Sequence, residues 1–200
     1  GIFYDEQVRM KEKLEALRPG QVDALFVQAS HTHEAPDTMG QWGFAYPWDE
    51  YPIGPGWDPA HMALIRSQTV AAVLEAVDQL QPCEFVVGKI HTHVEGLVRD
   101  GRDPRIFNDL LVAAQVRNKE TKQTIATLVN WGNHAESLAS RNNFISSDYA
   151  DELRRAVEEG LPATNFYPAH AGLGGVAIYQ QGAVGGIMAP NGFEIAGRDG

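Results

Sequence analysis

Hydrophobic residues recur at helical spacing in separate stretches of the chain. Apolar positions recur among charged ones from Glu6 to Leu17, and Pro19-Gly20 follows as a signal for the end of a helix. A longer apolar stripe runs from Pro59 to Leu80, and a further helix is indicated from Tyr149 to Glu159. The pattern therefore predicts three helices.

Short apolar runs between these helices predict buried strands. The runs are Val22–Ala29, Glu84–Ile90, Thr124–Asn130 and Val176–Tyr179. This alternation indicates an α/β fold, with mixed β-sheets flanked by helices. No repeat or linker divides residues 1–200, so we expect a single domain. Its polar, glycine-containing end has no closing element, so we expect the chain to be a fragment of a larger protein.

Charge and cysteine content narrow the classes of partner and site. A formal net charge of −10 and a pI near 5.1 argue against nucleic acid or an anionic membrane surface as the main partner. Cys83 is the only cysteine, which excludes an internal disulfide and a thiolate zinc site. No apolar run reaches the roughly 18 residues of a membrane span. Any metal is therefore expected on histidine and carboxylate side chains.

The segment Ser30-His31-Thr32-His33 directly follows the first predicted strand. Residues two apart on a strand face the same side, so His31 and His33 can address one site, a recurrent metal geometry at strand ends. The pair alone leaves a ligand role and an incidental role equally open. The long loop from Glu34 to Pro59, rich in glycine, proline and aromatic residues, favours the ligand role and is a candidate lid or pocket wall.

A third histidine has the same placement. The apolar stretch from Leu128 ends on His134, so two strand ends each deliver one histidine, which is the layout of a metal site. His91 and His93 repeat the His-x-His pattern after another predicted strand. They either supply further ligands or lie along a solvated strand end, and we favour the second interpretation.

Other groups are weaker candidates. His61 on a predicted helix and His170 in a loop have no partner nearby in the sequence, so both are expected at the surface. Arg102 stands in a turn of alternating charge, where a solvated ion pair is the ordinary interpretation. The turn Gly182–Gly186 lacks the lysine and hydroxyl residue of a P-loop, so a close backbone approach or an oxyanion-binding turn is favoured over phosphate binding.

Taken in order, these pieces resemble the neutral/alkaline ceramidase family, zinc amidases that cleave N-acylsphingosine. Ala29–Pro36 resembles the family's Thr-His-Thr-His-Ser-Gly-Pro motif, and Arg102-Asp103-Pro104 its Asn-Arg-Ser-Pro turn. Asn130-Trp131 through His134 is similar to its Asn-Trp-Phe-x-x-His strand end, and Phe144–Asp148 to its Ile-Ser-Ser/Gly-Asp segment. The glycine-rich turn ending at Pro190 falls where the family has Gly-Asp-Val-Ser-Pro.

The resemblance implies a role for each matching residue. His31 and His134 would be ligands of Zn²⁺, His33 would line the pocket beside the metal, and Arg102 would face the substrate. In the family, a glutamate and a tyrosine from much further along complete the zinc shell, and neither has a counterpart here. A complementing chain or a homo-oligomer therefore stays open as a partner.

One departure from the family bears on the mechanism. Met188 or Ala189 stands opposite the serine proposed as the family's nucleophile, so an acyl-enzyme is not expected. The remaining route is attack by water activated on zinc, with His33 as the acid/base and Arg102 as an oxyanion or substrate-orienting group.

The expected activity is hydrolysis of a lipid-like amide, such as an N-acyl sphingoid. An esterase on the same scaffold and a non-catalytic binding or assembly paralogue stay open as alternatives. An amidohydrolase barrel is disfavoured because the chain is too short for eight strand–helix repeats. The resemblance alone places the protein outside the cytoplasm, either secreted or periplasmic.

Overall fold

The computed structural model describes residues 1–40, 56, 58–93, 97–139 and 142–189. Contacts within the chain divide it into two compact units. Unit 1 comprises Gly1–Ala29 and Ala35–Gln81, and unit 2 comprises Ser30–Glu34 and Pro82–Gly200. The five residues Ser30–Glu34 thus belong to unit 2, although both flanking stretches belong to unit 1.

Unit 1 contains the helices α1 (Tyr4–Leu17) and α2 (Pro59–Asp78). The first turn of α2 contains a proline, and the Asp58 carboxylate accepts a hydrogen bond from the backbone N–H of Ala60. Both features favour a helix start at this point, because they suit the unpaired N–H groups of the first turn. The buried core of unit 1 consists of Met10, Leu14 and Val70.

Unit 2 contains eight strands among the described residues. In chain order they are β1 (Cys83–His91), β2 (Arg99–Asp100), β3 (Leu110–Asn118), β4 (Thr124–Trp131), β5 (Gly160–Leu161), β6 (His170–Ala171), β7 (Val176–Gln181) and β8 (Ile187–Met188). The main sheet has the order β1-β3-β4-β7. β1 and β3 pair antiparallel, as do β3 and β4, whereas β4 and β7 run parallel.

The helix α3 (Tyr149–Glu159) lies between β4 and β7 in the chain and packs on β7. Parallel neighbours require such a crossover, since a tight turn can join only antiparallel strands. The Arg154 guanidinium donates to the carbonyl of Ala177 (2.9 Å), and the Glu158 carboxylate accepts from the N–H of Ala177 (2.7 Å). None of the helices in the described part of the chain combines the length and apolar character needed to cross a bilayer.

A two-stranded ribbon of β2 and β8 lies beside the main sheet. Asp100 pairs with Ile187 in antiparallel register. Val98 and Ile187 are buried together, with Trp131 of β4 packed against them. The ribbon is therefore anchored to the end of β4, which is the end that leads to His134.

These elements confirm the predicted α/β class and its mixed sheet. The three helices and the strands near residues 84, 124 and 176 fall where the sequence predicts them. The strand predicted over Val22–Ala29 is wrong, because this segment finds no partner strand and its Val27 N–H donates to the Gln7 side chain instead. The candidate lid, at residues 34–59, lies mostly outside the described residues, and the single-domain hypothesis stays a prediction.

Candidate metal centre

Three histidines from two distant parts of the sequence meet in unit 2. The ring centroids of His31 and His134 are 4.5 Å apart, and that of His33 is 5.1 Å from His31 and 5.4 Å from His134. One nitrogen from each ring lies within 4.8 Å of the other two. Within the described part of the chain, this is the only group of histidine, cysteine and carboxylate side chains close enough to share a metal ion.

The backbone of the segment Ser30–Glu34 is fastened to unit 2 on two sides. Thr32 forms an isolated parallel bridge with Ala135, whose carbonyl accepts from the His33 N–H (3.1 Å). The Thr32 hydroxyl donates to the Ser146 carbonyl (2.9 Å), and the Ser146 N–H donates to the Glu34 carbonyl (2.9 Å). These bonds place His31 and His33 beside the end of β4, although the segment that precedes them does not form a strand.

His134 is buried three residues past the end of β4. Its Nδ1 lies 2.5 Å from the carbonyl oxygen of Ile187, which can only accept. Nδ1 therefore carries the hydrogen, and the lone pair of the neutral ring is on Nε2. A histidine fixed in this way by a backbone carbonyl is the usual arrangement for a metal ligand, because the bond orients the ring and selects the tautomer.

A pair of tyrosines supports the turn before His134. The Tyr149 hydroxyl donates to the carbonyl of Asn133 (2.8 Å) and lies 2.6 Å from the Tyr179 hydroxyl. Burial raises the pKa of Tyr149 well above its usual range, and raises the pKa of Tyr179 to about 12. Both hydroxyls therefore remain neutral hydrogen-bonding groups at physiological pH.

The chemistry of the donor set fits a zinc ion. Burial lowers the pKa of His31, and the neighbouring His134 and His33 rings lower it further. A lowered pKa keeps the imidazole of His31 neutral, and only the neutral ring has a lone pair for a metal. Zinc accepts imidazole nitrogens, and the described cluster offers three of them in one place.

Two glutamates flank the histidines. Glu136 Oε2 lies 3.3 Å from Nδ1 of His33, and Asn142 donates to Glu34 Oε2 (2.6 Å). Within the described part of the chain, the second carboxylate oxygen of each glutamate is buried without a hydrogen-bond partner. Glu34, Glu136, His33 and Asn142 line one cavity of about 420 Å³, together with Ala139 and Phe144.

Arg102 lies in the turn two residues after β2 and is not part of the histidine cluster. Its Nε and Nη2 each donate to the Asp100 carboxylate, both at 2.9 Å. These bonds hold the pKa of Asp100 well below its usual range. The Arg102 side chain is 60% exposed and lies against Gly186, where an added Cβ would overlap the guanidinium. Asp100, which binds Arg102, pairs with Ile187, and the carbonyl of Ile187 contacts Nδ1 of His134. The β2–β8 ribbon therefore orients both Arg102 and His134.

The remaining candidates do not join the cluster. His91 pairs with Asp109 (2.8 Å) on an exposed strand end, in agreement with the interpretation we favoured, and His93 is not part of the cluster either. His170 is exposed on β6, and His61 lies on α2. The turn from Gly182 makes a close backbone approach, since an added Cβ there would come within 2.9 Å of the Gly132 nitrogen.

Sequence reasoning missed Glu136 and the tyrosine pair. Glu136 lies just beyond the histidine that ends the recognised motif, and its partner His33 is about 100 residues away in the sequence. Nothing local distinguishes it from a solvated glutamate. The only signal in the sequence is its position two residues after a candidate ligand.

The fold matches solved ceramidase structures. No family model and no curated protein matches the chain. Neutral ceramidase from Pseudomonas aeruginosa matches with a TM-score of 0.69 and 17% identity, over 94% of this chain and 30% of that chain. A ceramidase complexed with C2 matches with the same TM-score and identity, over 94% of this chain and 29% of that one. This chain thus spans less than a third of these neighbours, and it has the fold of part of a neutral ceramidase.

Proposed function

We propose that this chain is part of a zinc-dependent hydrolase that cleaves the amide bond of a lipid-like N-acyl substrate. The observation that carries the proposal is the cluster of His31, His33 and His134 within a fold similar to neutral ceramidase. The neutral ceramidase from Pseudomonas aeruginosa is named for its action on ceramide. An amide of that type is therefore the first substrate class to test.

His31 and His134 are the proposed metal ligands, each through a neutral ring nitrogen. When bound, zinc would supply a Lewis acid that lowers the pKa of water and polarises a carbonyl oxygen. His33, at 46% side-chain exposure, is the most open of the three rings and faces the cavity beside the cluster. Its proposed role is to take a proton from the attacking water and to return one to the leaving amine.

Arg102 is the proposed group for the substrate carbonyl or its polar head. Asp100 engages Nε and Nη2, which fixes the plane of the guanidinium and leaves Nη1 directed away from that carboxylate. A pre-oriented cation costs little reorganisation when negative charge develops on the substrate. No covalent acyl step is included, because Met188 and Ala189 carry no nucleophile and Ala189 is fully buried.

Metal analysis tests the ligand assignment. After zinc loading and desalting, we expect about one zinc per chain, as for a single centre of this type. His31→Ala and His134→Ala should lose it, whereas His91→Ala should keep it, since His91 belongs to the look-alike pair on Asp109. Full zinc content in both ligand variants would overturn the assignment.

A substrate panel tests the reaction. Acyl amides and the matching esters of varied chain length should separate an amidase from an esterase on the same scaffold. Arg102→Ala should lower kcat/KM roughly 100-fold if the guanidinium stabilises developing charge. Unchanged turnover in this variant would remove Arg102 from the site.

A second candidate function is a non-catalytic binding or assembly paralogue. The absence of a serine at Met188 or Ala189 favours it, because the family's proposed nucleophile has no replacement there. Bound zinc without turnover of any amide or ester in the panel would support this candidate over the hydrolase.

A further inference from the structure

Glu136 faces His33 across the only bridge that joins the Ser30–Glu34 segment to the end of β4 in the described structure. Ala135, the residue before Glu136, pairs with Thr32 and accepts from the His33 N–H. Since the two backbones are paired at this point, the Cα atoms of His33 and Glu136 are held close to each other. The Glu136 side chain is only 15% exposed, and its Oε2 lies 3.3 Å from His33 Nδ1.

The contact bears on the tautomer of the His33 ring. A carboxylate oxygen can only accept hydrogen bonds, so Oε2 at 3.3 Å from Nδ1 favours the tautomer of a neutral His33 that has its hydrogen on Nδ1. The lone pair of the ring is then on Nε2. Without such a partner, the tautomer and the rotation of an imidazole with this exposure would be set by water.

We propose that Glu136 is a positioning residue for His33. It holds the ring by Nδ1, so that a basic Nε2 faces the space beside the histidine cluster. This inference rests on the proposed hydrolase, in which His33 moves protons. It assigns a role to a residue outside the motifs that resemble the ceramidase family, since the strand-end motif stops at His134.

The arrangement is that of a carboxylate–imidazole dyad. In such dyads the carboxylate is not itself protonated; it orients the imidazole and stabilises the imidazolium that forms during proton transfer. Within the described part of the chain, the other oxygen of Glu136 is buried without a hydrogen-bond partner. The contact of this carboxylate with His33 is therefore made by Oε2.

The primary experiment reads the tautomer of His33 directly. The chain is labelled with ¹⁵N-histidine, and long-range ¹H–¹⁵N spectra are recorded above pH 7.5 with and without added zinc chloride. The His33 signals are assigned by their loss in His33→Gln. We expect the Nδ1–H form in the wild-type chain, a mixed or Nε2–H form in Glu136→Ala, whose side chain has no acceptor, and recovery of the Nδ1–H form in Glu136→Asp.

Glu34→Ala is the matched control. Glu34 lines the same cavity, but its carboxylate accepts from Asn142 and not from a histidine. The His33 tautomer should be unchanged in this variant. An Nε2–H form in the wild-type chain, or the same tautomer in the wild-type chain and Glu136→Ala, would overturn the proposal.

Kinetics provide the second measurement. Glu136→Ala should lower kcat about 10–100-fold, the range for outer-shell partners of histidines at metal sites, with KM and zinc content unchanged. Glu136→Asp should recover part of kcat. A changed tautomer with unchanged kcat would also overturn the positioning role. If the wild-type chain binds zinc and hydrolyses nothing, the proposed function fails, while the tautomer still decides whether Glu136 orients His33.

Discussion

The backbone of His31 adopts a conformation that side chains disfavour. Its φ is 63°, in the left-handed region, where a Cβ costs about 1–2 kcal/mol relative to glycine. The bonds of Thr32 and His33 on either side of the bridge hold this conformation in place. The site therefore has the proposed ligand His31 at a position where the backbone alone would favour glycine.

A pair of variants at this position separates the ligand from the backbone. Both His31→Gly and His31→Ala should lose zinc, because neither has an imidazole. In the metal-free chain, however, His31→Gly should be about 1 kcal/mol more stable than His31→Ala, since glycine tolerates a positive φ. Urea unfolding in the presence of a chelator measures the difference. Equal free energies of unfolding would show that the segment relaxes once the ring is removed.

The ionisation of Asp100 makes the stability of the β2–β8 ribbon depend on pH. The side chain of Arg102 is the main cause of its lowered pKa, and the backbone N–H groups of Arg102 and Ile106 lower it further. Because the folded pKa lies below the ordinary value of 3.8, this carboxylate stabilises the fold above about pH 4. The contribution is lost as the pH falls from there through the folded pKa.

Asp100→Asn should therefore lower the urea midpoint at pH 7 and flatten its fall between pH 4 and pH 2. Asp103→Asn, in the same turn, is the matched control for the change of charge. The measurement is a set of urea titrations followed by circular dichroism. A pH dependence identical to that of the wild-type chain would remove Asp100 from this role.

Among the elements, the close approach of two turns sets the position of His134. Gly132 lies between the end of β4 and His134, and an added Cβ would come within 2.5 Å of the Ala183 carbonyl oxygen. A backbone carbonyl cannot rotate away as a flexible side chain can. The glycine thus allows the turn after β7 to pack against the turn after β4.

Gly132→Ala should destabilise the chain by about 1–3 kcal/mol, the usual cost of overpacking. It should also weaken zinc binding, because the displaced turn carries His134. Gly88→Ala is the matched control, since Gly88 lies in β1 with open space around its Cα. Thermal unfolding and a competition assay with a zinc indicator measure both effects. A neutral Gly132→Ala variant would mean that the two turns separate at little cost.

Elements with a clear hydrophobic periodicity in the sequence were predictable, whereas strands that depend on pairing with distant strands were not. The helix Tyr149–Glu159 has the predicted bounds, because its capping Asp148 and its spacing are local properties. β3 was missed since Leu110–Asn118 is half-buried along its whole length and does not alternate. The strand predicted over Val22–Ala29 is wrong although its hydrophobic pattern suits a strand, because no strand pairs with this segment in the described structure.

The candidate site was predictable in part for the same reason. His31 and His134 were singled out by short motifs, and the structure brings them together with His33. The partner of His33 could not be found in this way, because the contact with Glu136 exists only once residues far apart in the sequence are adjacent. Geometry of this kind is a tertiary property that composition and spacing do not encode.

At the scale of the whole molecule, adding or removing zinc should change the stability of unit 2 but not that of unit 1. A ligand present at 100 times its Kd stabilises the folded state by about 2.7 kcal/mol. Since all three histidines belong to unit 2, added zinc should slow hydrogen exchange in peptides containing Ser30–Glu34 and His134. Peptides from α1 serve as the internal control and should be unaffected. Zinc protection found in α1 alone would contradict a site at the histidines.

The bridge between Thr32 and Ala135 has a consequence for the order of folding. It joins residues about 100 positions apart in the sequence, and closing a loop of that length costs about 4 kcal/mol of chain entropy. The local pairs β1–β3 and β3–β4 close much shorter loops and are expected to form first. At that stage only His134 of the three cluster histidines lies next to a formed pair of strands, so the proposed metal site is expected to be complete only once the bridge closes.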